Sequence, residues 1–315
     1  MKKRFTAGGL FVLTGALLGY LIGSGFSTGQ ETVQYFSAYG WGGILVGVIT
    51  FFMMYLTFCA YSYAGRTRGL DSLSEVYRFY AGKYVGRLFE VFAWLFVFGC
   101  YVFMTTGFGA AMNQHWGVPV MIGSAIISIL SVVTAGFGLQ RIVDIIGRIA
   151  PAIVVFTLFI GIVSAFTFFP KISEGIELVR SGAVVVNKAA TNWLTAGISF
   201  GGCSLLLVSA FIAQISKDYR EYDYKQFKLT LLLASIFIPG CSVLMGLNHL
   251  GNISEAATAA IPNLLLASKI MGGVGLIFAI LICLEIYTTT VPLMWTAVIQ
   301  FTKEDKSIKY KLFCL

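Results

Sequence analysis

Apolar residues come in long runs, each closed by a short polar or basic stretch. A helix needs about 20 apolar residues to cross a bilayer. Eight runs reach or approach that length, at 5–37, 41–64, 88–112, 118–136, 149–169, 192–216, 227–248 and 272–301. The pieces between them differ in pattern. Residues 71–86 place Leu73, Val76, Tyr77 and Tyr80 at helical spacing, which predicts an amphipathic helix lying on the membrane. Residues 138–148 and 170–191 read as polar connectors, and 217–223 as a charged loop. Residues 249–268 read as a mixed, partly helical connection with Pro262, and 302–315 as a lysine-rich cytoplasmic tail. The start, MKKRFTAGGLFVLTGALLGY, has the outline of a signal peptide but no clear small-residue cleavage site, so it is read as a retained first helix.

Two of the runs are interrupted. The first carries GSGFSTGQE at 23–31, and the sixth carries GISFGG at 197–202. Glycine and hydroxyl residues loosen the helical ladder. Opened backbone survives at membrane depth only where protein or a polar cavity satisfies it. The carboxylate of Glu31 in such a place marks a functional site by default. The two interruptions lie five segments apart, on helices that run in opposite directions. Paired breaks of this kind point to a transport site at an inverted repeat. A weaker echo joins YVFMTT at 101–106 to EIYTTT at 285–290, again five segments apart.

Each feature also has a plainer reading. Gly23, Gly25 and Gly29 suit a close-packing face. Glu31 could reach an interface. Glu285 could hydrogen-bond to a neighbouring helix or act as a protonatable coupling group. Thr288, Thr289 and Thr290 could satisfy backbone around Pro292. Phe26, Tyr101, Phe200 and Tyr287 could be core or lipid-facing.

Composition agrees with a polytopic all-α membrane protein: 57% of residues are hydrophobic and 11% charged, against about 25% charged in soluble domains. The net charge of +8 reflects the positive-inside bias and not a nucleic-acid partner. With the N-terminus cytoplasmic, 18 of the 22 lysines and arginines fall on the inner side; only Lys171, Arg180, Lys188 and Lys269 fall outside. The six cysteines form no C-x-x-C pair, and His115 and His249 stand alone, so no metal or haem set is evident. No P-loop, G-x-S-x-G or zinc motif is present, and the chain is not expected to be an enzyme.

Residues 23–31 match the G-x-G-F-[AS]-[ST]-G-Q-E pattern of the YkvI-type bacterial membrane proteins, which the chain resembles. More broadly it is similar to LeuT-fold transporters of the amino acid–polyamine–organocation superfamily. There, residues 197–202 followed by Ser216 to Asp218 resemble the broken sixth helix and its exit loop. Gly272 and Gly273 leading to Thr288, Thr289 and Thr290 resemble the eighth, whose hydroxyls bind sodium.

The resemblance implies a LeuT-like five-helix inverted repeat in a bacterial plasma membrane. One transmembrane transporter domain spans 1–315, with a first repeat over 1–170. The second repeat, over 190–301, is two helices short, so the chain has the outline of a truncated copy. Substrate contacts are expected from Gly23, Ser24, Gly25, Phe26, Tyr101, Ser199, Phe200, Gly201 and Gly202, and among these the rings of Tyr101 and Phe200 are read as a gate. The ion would meet carbonyls of Ile22 and Gly25 and the hydroxyls of Thr288, Thr289 and Thr290. Glu31 and Glu285 are the coupling candidates. The expected function is symport of a small organic solute, an amino acid or similar zwitterion, coupled to sodium or protons by alternating access. Sodium is the one bound ion implied, and no cofactor is. The alternative is a channel, a sensor or a non-transporting, degenerate transporter.

Overall fold

The computed structural model describes residues 3–22, 26, 28–259, 261–270 and 275–302. Among them the chain is helical throughout, with a single bridge between Lys3 and Tyr222 and no strands. In chain order the described helices of 6 residues or more are α1 (Ala7–Leu21), α2 (Gln30–Tyr35), α3 (Gly42–Arg68), α4 (Leu73–Trp116), α5 (Val120–Ala135) and α6 (Leu139–Phe168). There follow α7 (Ile172–Arg180), α8 (Trp193–Asp218), α9 (Tyr224–Leu250), α10 (Pro262–Ile270) and α11 (Gly275–Ile299). Among the described residues, six helices are long and apolar enough to cross a membrane; α1 and α5 are apolar but shorter.

Local chemistry sets the helix ends. Ser72 caps α4 through the Glu75 amide, and Asn192 and Thr195 form a reciprocal capping box at α8. Gly69 and Gly117 close α3 and α4 in the left-handed conformation.

The connections sort onto two ends of the bundle. At one, Lys3 pairs with Glu221 at 2.9 Å, and Phe5 stacks on Tyr222 with centroids 4.4 Å apart. Arg66 donates to the carbonyls of Tyr219, Arg220 and Tyr222, Lys217 pairs with Asp71, and Gln140 donates to the Tyr219 hydroxyl. At the other, Tyr39 exchanges two hydrogen bonds with Ala190, and Lys269 reaches Asn252 and Glu255. The segments expected on the inner side therefore share one end, the tail from 303 onward lying outside the described residues.

Three expectations are corrected. The predicted connector at 138–148 is the first part of α6. Leu139, Ile142, Val143 and Ile146 are buried along one helical face, and Gln140, Arg141 and Asp144 had masked that face in the sequence. The amphipathic stretch and the third run join in α4. They meet at Gly82, whose φ of 75° needs a glycine, and Gly86 then packs against the Arg78 backbone.

The sixth run is not broken: α8 is continuous from Trp193 to Asp218. Its glycines serve packing. A Cβ on Gly197 would meet the Ile49 side chain at 2.9 Å, and one on Gly201 would meet Met53 at 2.9 Å, so the pair seats α8 closely on α3.

Candidate functional site

The first run does break. Helix α1 ends at Leu21, followed by Ile22 in an extended conformation, and α2 starts after Gly29, whose φ is 89°. Beside this break lies a cavity of about 420 Å³. Tyr20 and Leu21 of α1, Glu31 and Tyr35 of α2, Phe96, Cys100, Phe103 and Met104 of α4, Phe200, Cys203 and Ser204 of α8, and Thr289 of α11 all line it. Rings and aliphatic groups dominate its wall, with one carboxylate and a few hydroxyls, the composition expected of a small-molecule pocket.

The two ends of the break are held differently. At the α1 end, one hydroxyl faces several carbonyls. Thr289 Oγ1 lies 3.0 Å from the Gly19 oxygen, 3.3 Å from that of Glu285, and within hydrogen-bond reach of that of Ile22. A hydroxyl carries one proton, so it cannot donate to all three at once. Four oxygens thus converge beside the cavity.

At the α2 end, Asn263 of α10 donates to the Phe26 carbonyl at 2.8 Å, and its Oδ1 meets His249 Nε2 at 2.9 Å. Because Oδ1 can only accept, His249 carries its proton on Nε2 here. A Cβ on Gly29 would lie 2.6 Å from Asn263 Oδ1, which excludes any larger residue there. Gln30 adds a hydrogen bond to the Ala259 carbonyl at 2.7 Å.

Asn263→Ala would strip a partner from both the Phe26 carbonyl and the His249 ring, at about 1–3 kcal/mol for each buried group left unpaired. The expected result is a clear drop in the melting temperature of the detergent-solubilised protein. An unchanged melting curve would show that the clamp contributes nothing.

The sequence-predicted residues divide between places. Glu31, Phe200 and Thr289 meet at the cavity. Gly23, Ser24 and Gly25 lie outside the described residues, as do Gly272 and Gly273. Phe26 is buried and contributes its carbonyl to Asn263. Thr288 and Thr290 turn their hydroxyls onto carbonyls of their own helix, Glu285 at 2.8 Å and Ile286 at 2.6 Å.

Tyr101 does not face the cavity: its hydroxyl pairs with Ser131 of α5 at 3.0 Å. Phe200 meets the rings of Tyr35 and Phe36, with centroids 5.1 and 5.2 Å apart, and of these Tyr35 lines the cavity with it. Gly201 faces α3, while Ser199 and Gly202 line a second, lateral cavity. Glu285 is buried away from the central cavity and accepts from Thr157 of α6 at 3.2 Å. His249 and Asn263 were missed. The run of Asn248, His249 and Asn252 at the end of an apolar segment was the signal that buried polar groups sit there.

No family model matches the chain. It is 25% identical over 201 residues to an uncharacterized membrane protein, YkvI, of Bacillus subtilis. That match covers 64% of this chain and 55% of the relative, so the chain spans little more than half of that protein's length. It is 22% identical over 275 residues to the uncharacterized protein YyaD of the same organism, covering 87% of this chain and 76% of the relative. Among solved structures, a mutant of the manganese transporter of Eremococcus coleocola aligns with a TM-score of 0.58 and 16% identity. The alignment covers 99% of this chain and 71% of that one. The same transporter in complex with an aromatic bis-isothiourea substituted compound aligns with a TM-score of 0.57 and 16% identity, over 96% and 68% of the two chains. The chain is therefore a multi-pass membrane protein with a transporter's fold.

Proposed function

We propose that this protein is a secondary active transporter that moves a small organic solute, an amino acid or similar zwitterion, coupled to sodium or protons. The observation that carries this reading is the cavity at the break of the first helix, with Glu31 as the one carboxylate among its described lining residues. An isolated negative charge in such a place calls for a cation. A substrate ammonium, a sodium ion or a proton would each answer it. The Tyr35–Phe200 pair and the rings of Phe96 and Phe103 suit an apolar side chain. The substrate carboxylate would be held at the break between α1 and α2.

The sodium reading rests on Thr289. Its hydroxyl and the carbonyls of Gly19, Ile22 and Glu285 form a set of hard oxygen donors. Alternating access would move α1 and α2 with their partners against the rest, within an inverted repeat over 1–170 and 190–301. The basic end of the bundle would face the cytoplasm of a bacterium, as the charge bias favours.

The test is uptake into proteoliposomes under imposed sodium or proton gradients, with labelled amino acids and, separately, manganese. Gradient-driven uptake of an amino acid supports the reading. Uptake of manganese alone would replace it with the cargo of the fold's solved neighbours. No uptake of either would sink it. Thr289→Ala is expected to raise the sodium concentration for half-maximal uptake at least tenfold while leaving the protein folded. An unchanged sodium response would remove Thr289 from the ion site.

A further inference from the structure

A second cavity, of about 670 Å³, opens on the side of the bundle between α3, the first part of α4 and α8. Tyr61, Tyr77, Phe89, Phe96 and Leu206 contribute to its almost entirely apolar wall. Tyr80 spans its rim, donating its hydroxyl to the Ala60 carbonyl at 2.6 Å. Leu56, Phe89 and Phe92, all exposed, stand at its mouth. In a multi-pass membrane protein such a mouth meets acyl chains, not water.

The charge beside that mouth is one-sided. It lies toward the basic end of the bundle, where α3 finishes in Arg66 and Arg68 and the first part of α4 carries Arg78, Lys83 and Arg87. Of the nearby carboxylates, Asp71 is paired with Lys217 and Glu90 with Arg78 and Arg87, while Glu75 accepts from the Asp71 amide, so the cations remain in excess. Arg68 lies over the Phe79 ring and Lys83 over the Tyr84 ring, and among the described residues neither makes an ion pair. An apolar slot beside uncompensated cations fits a lipid whose head carries negative charge.

We infer that the lateral cavity is a binding site for an anionic phospholipid, one acyl chain lying between α3, α4 and α8 and the head group held by Arg68 and Lys83. The site has a route to the transport site. Phe96 and Cys203 line both cavities, so a single layer of side chains separates the acyl chain from the central chamber.

The experiment uses the full chain in detergent, stripped of lipid. Phosphatidylglycerol and phosphatidylcholine of identical chains are titrated in, and bound lipid is counted by native mass spectrometry alongside melting temperature. The expected result is saturable binding of one phosphatidylglycerol with a rise in melting temperature, and at least fivefold weaker binding of phosphatidylcholine. Leu206→Trp, which fills the slot, should abolish that binding. Arg68→Gln and Lys83→Gln should each weaken it about fivefold, as expected for one basic side chain beside an anionic head group.

Equal binding of both lipids, or phosphatidylglycerol binding that Leu206→Trp leaves intact, overturns the inference. So does a dimer in the stripped protein that phosphatidylglycerol fails to dissociate, since a second copy would then fill the slot. None of these readouts depends on transport, so a failure of the uptake assay leaves them standing.

Discussion

Gly147→Val is expected to prevent the first helix from seating and to abolish monodisperse protein. A Cβ at Gly147 would sit 2.2 Å from the Val12 carbonyl oxygen, and one at Gly15 would sit 2.5 Å from the Gly147 oxygen. Each glycine thus lies against the other helix's backbone at the crossing of α1 and α6. A side chain can change rotamer to admit an extra methyl; a carbonyl inside a helix cannot. Overpacking a core that can adjust costs about 1–3 kcal/mol, and here the whole helix must move. Helix α1 leads into the break that borders the central cavity, so its displacement would also disturb the site. The measurement is size-exclusion profile and melting temperature in detergent, with Gly202→Ala as the control because nothing lies within 4 Å of a Cβ there. Gly147→Ala should be milder in the same direction. A valine variant that elutes and melts like the parent would mean that α1 and α6 do not meet in this way.

That crossing also shows what a sequence can and cannot reveal. The apolar runs located the helices because lipid leaves a helix few places for polar residues. The basic residues sorted the connections because charge gathers at the ends, and Lys3, Arg66 and Lys217 do lie together. Glycine is ambiguous in sequence, since the residue that lets a helix open also lets two helices touch. The glycines at 197 and 201 resembled an opening and turned out to be contact points for Ile49 and Met53. At 23–31 the same composition does accompany a break.

Rotational phase was equally hidden. Tyr101 and Cys100 are neighbours in sequence, yet a step of one residue turns about 100° around a helix, so Cys100 faces the cavity and Tyr101 faces Ser131. The Asn263–Phe26 clamp joins residues 237 positions apart. No local pattern announces such a partner; only the fold brings α10 over the break.

Glu31→Gln is expected to abolish solute uptake while making the empty protein more stable, and the combination is diagnostic. Glu31 lies in the first turn of α2, where free amide groups favour a negative charge. Among the described residues, no lysine, arginine or histidine lines the cavity with it. On the proposed function its counter-charge is a bound cation or a proton. In the empty state the carboxylate is partly desolvated without a partner, a situation that destabilises a fold. Glutamine keeps the size and a hydrogen-bond acceptor and removes the charge. The apo melting temperature should rise. Stabilisation by substrate or sodium should vanish, and uptake should fall at least tenfold. A residue that only supported the helix would behave oppositely, because replacing it would lower the melting temperature and leave the ligand's stabilising effect in place. Glu31→Asp, which keeps the charge but withdraws it by one methylene, should retain part of the uptake. The readout that decides is the pair of melting temperatures, with and without cation. If Glu31→Gln still gains stability from sodium or an amino acid as the parent does, the cation binds elsewhere, and Glu285 beside Thr157 becomes the carboxylate to test.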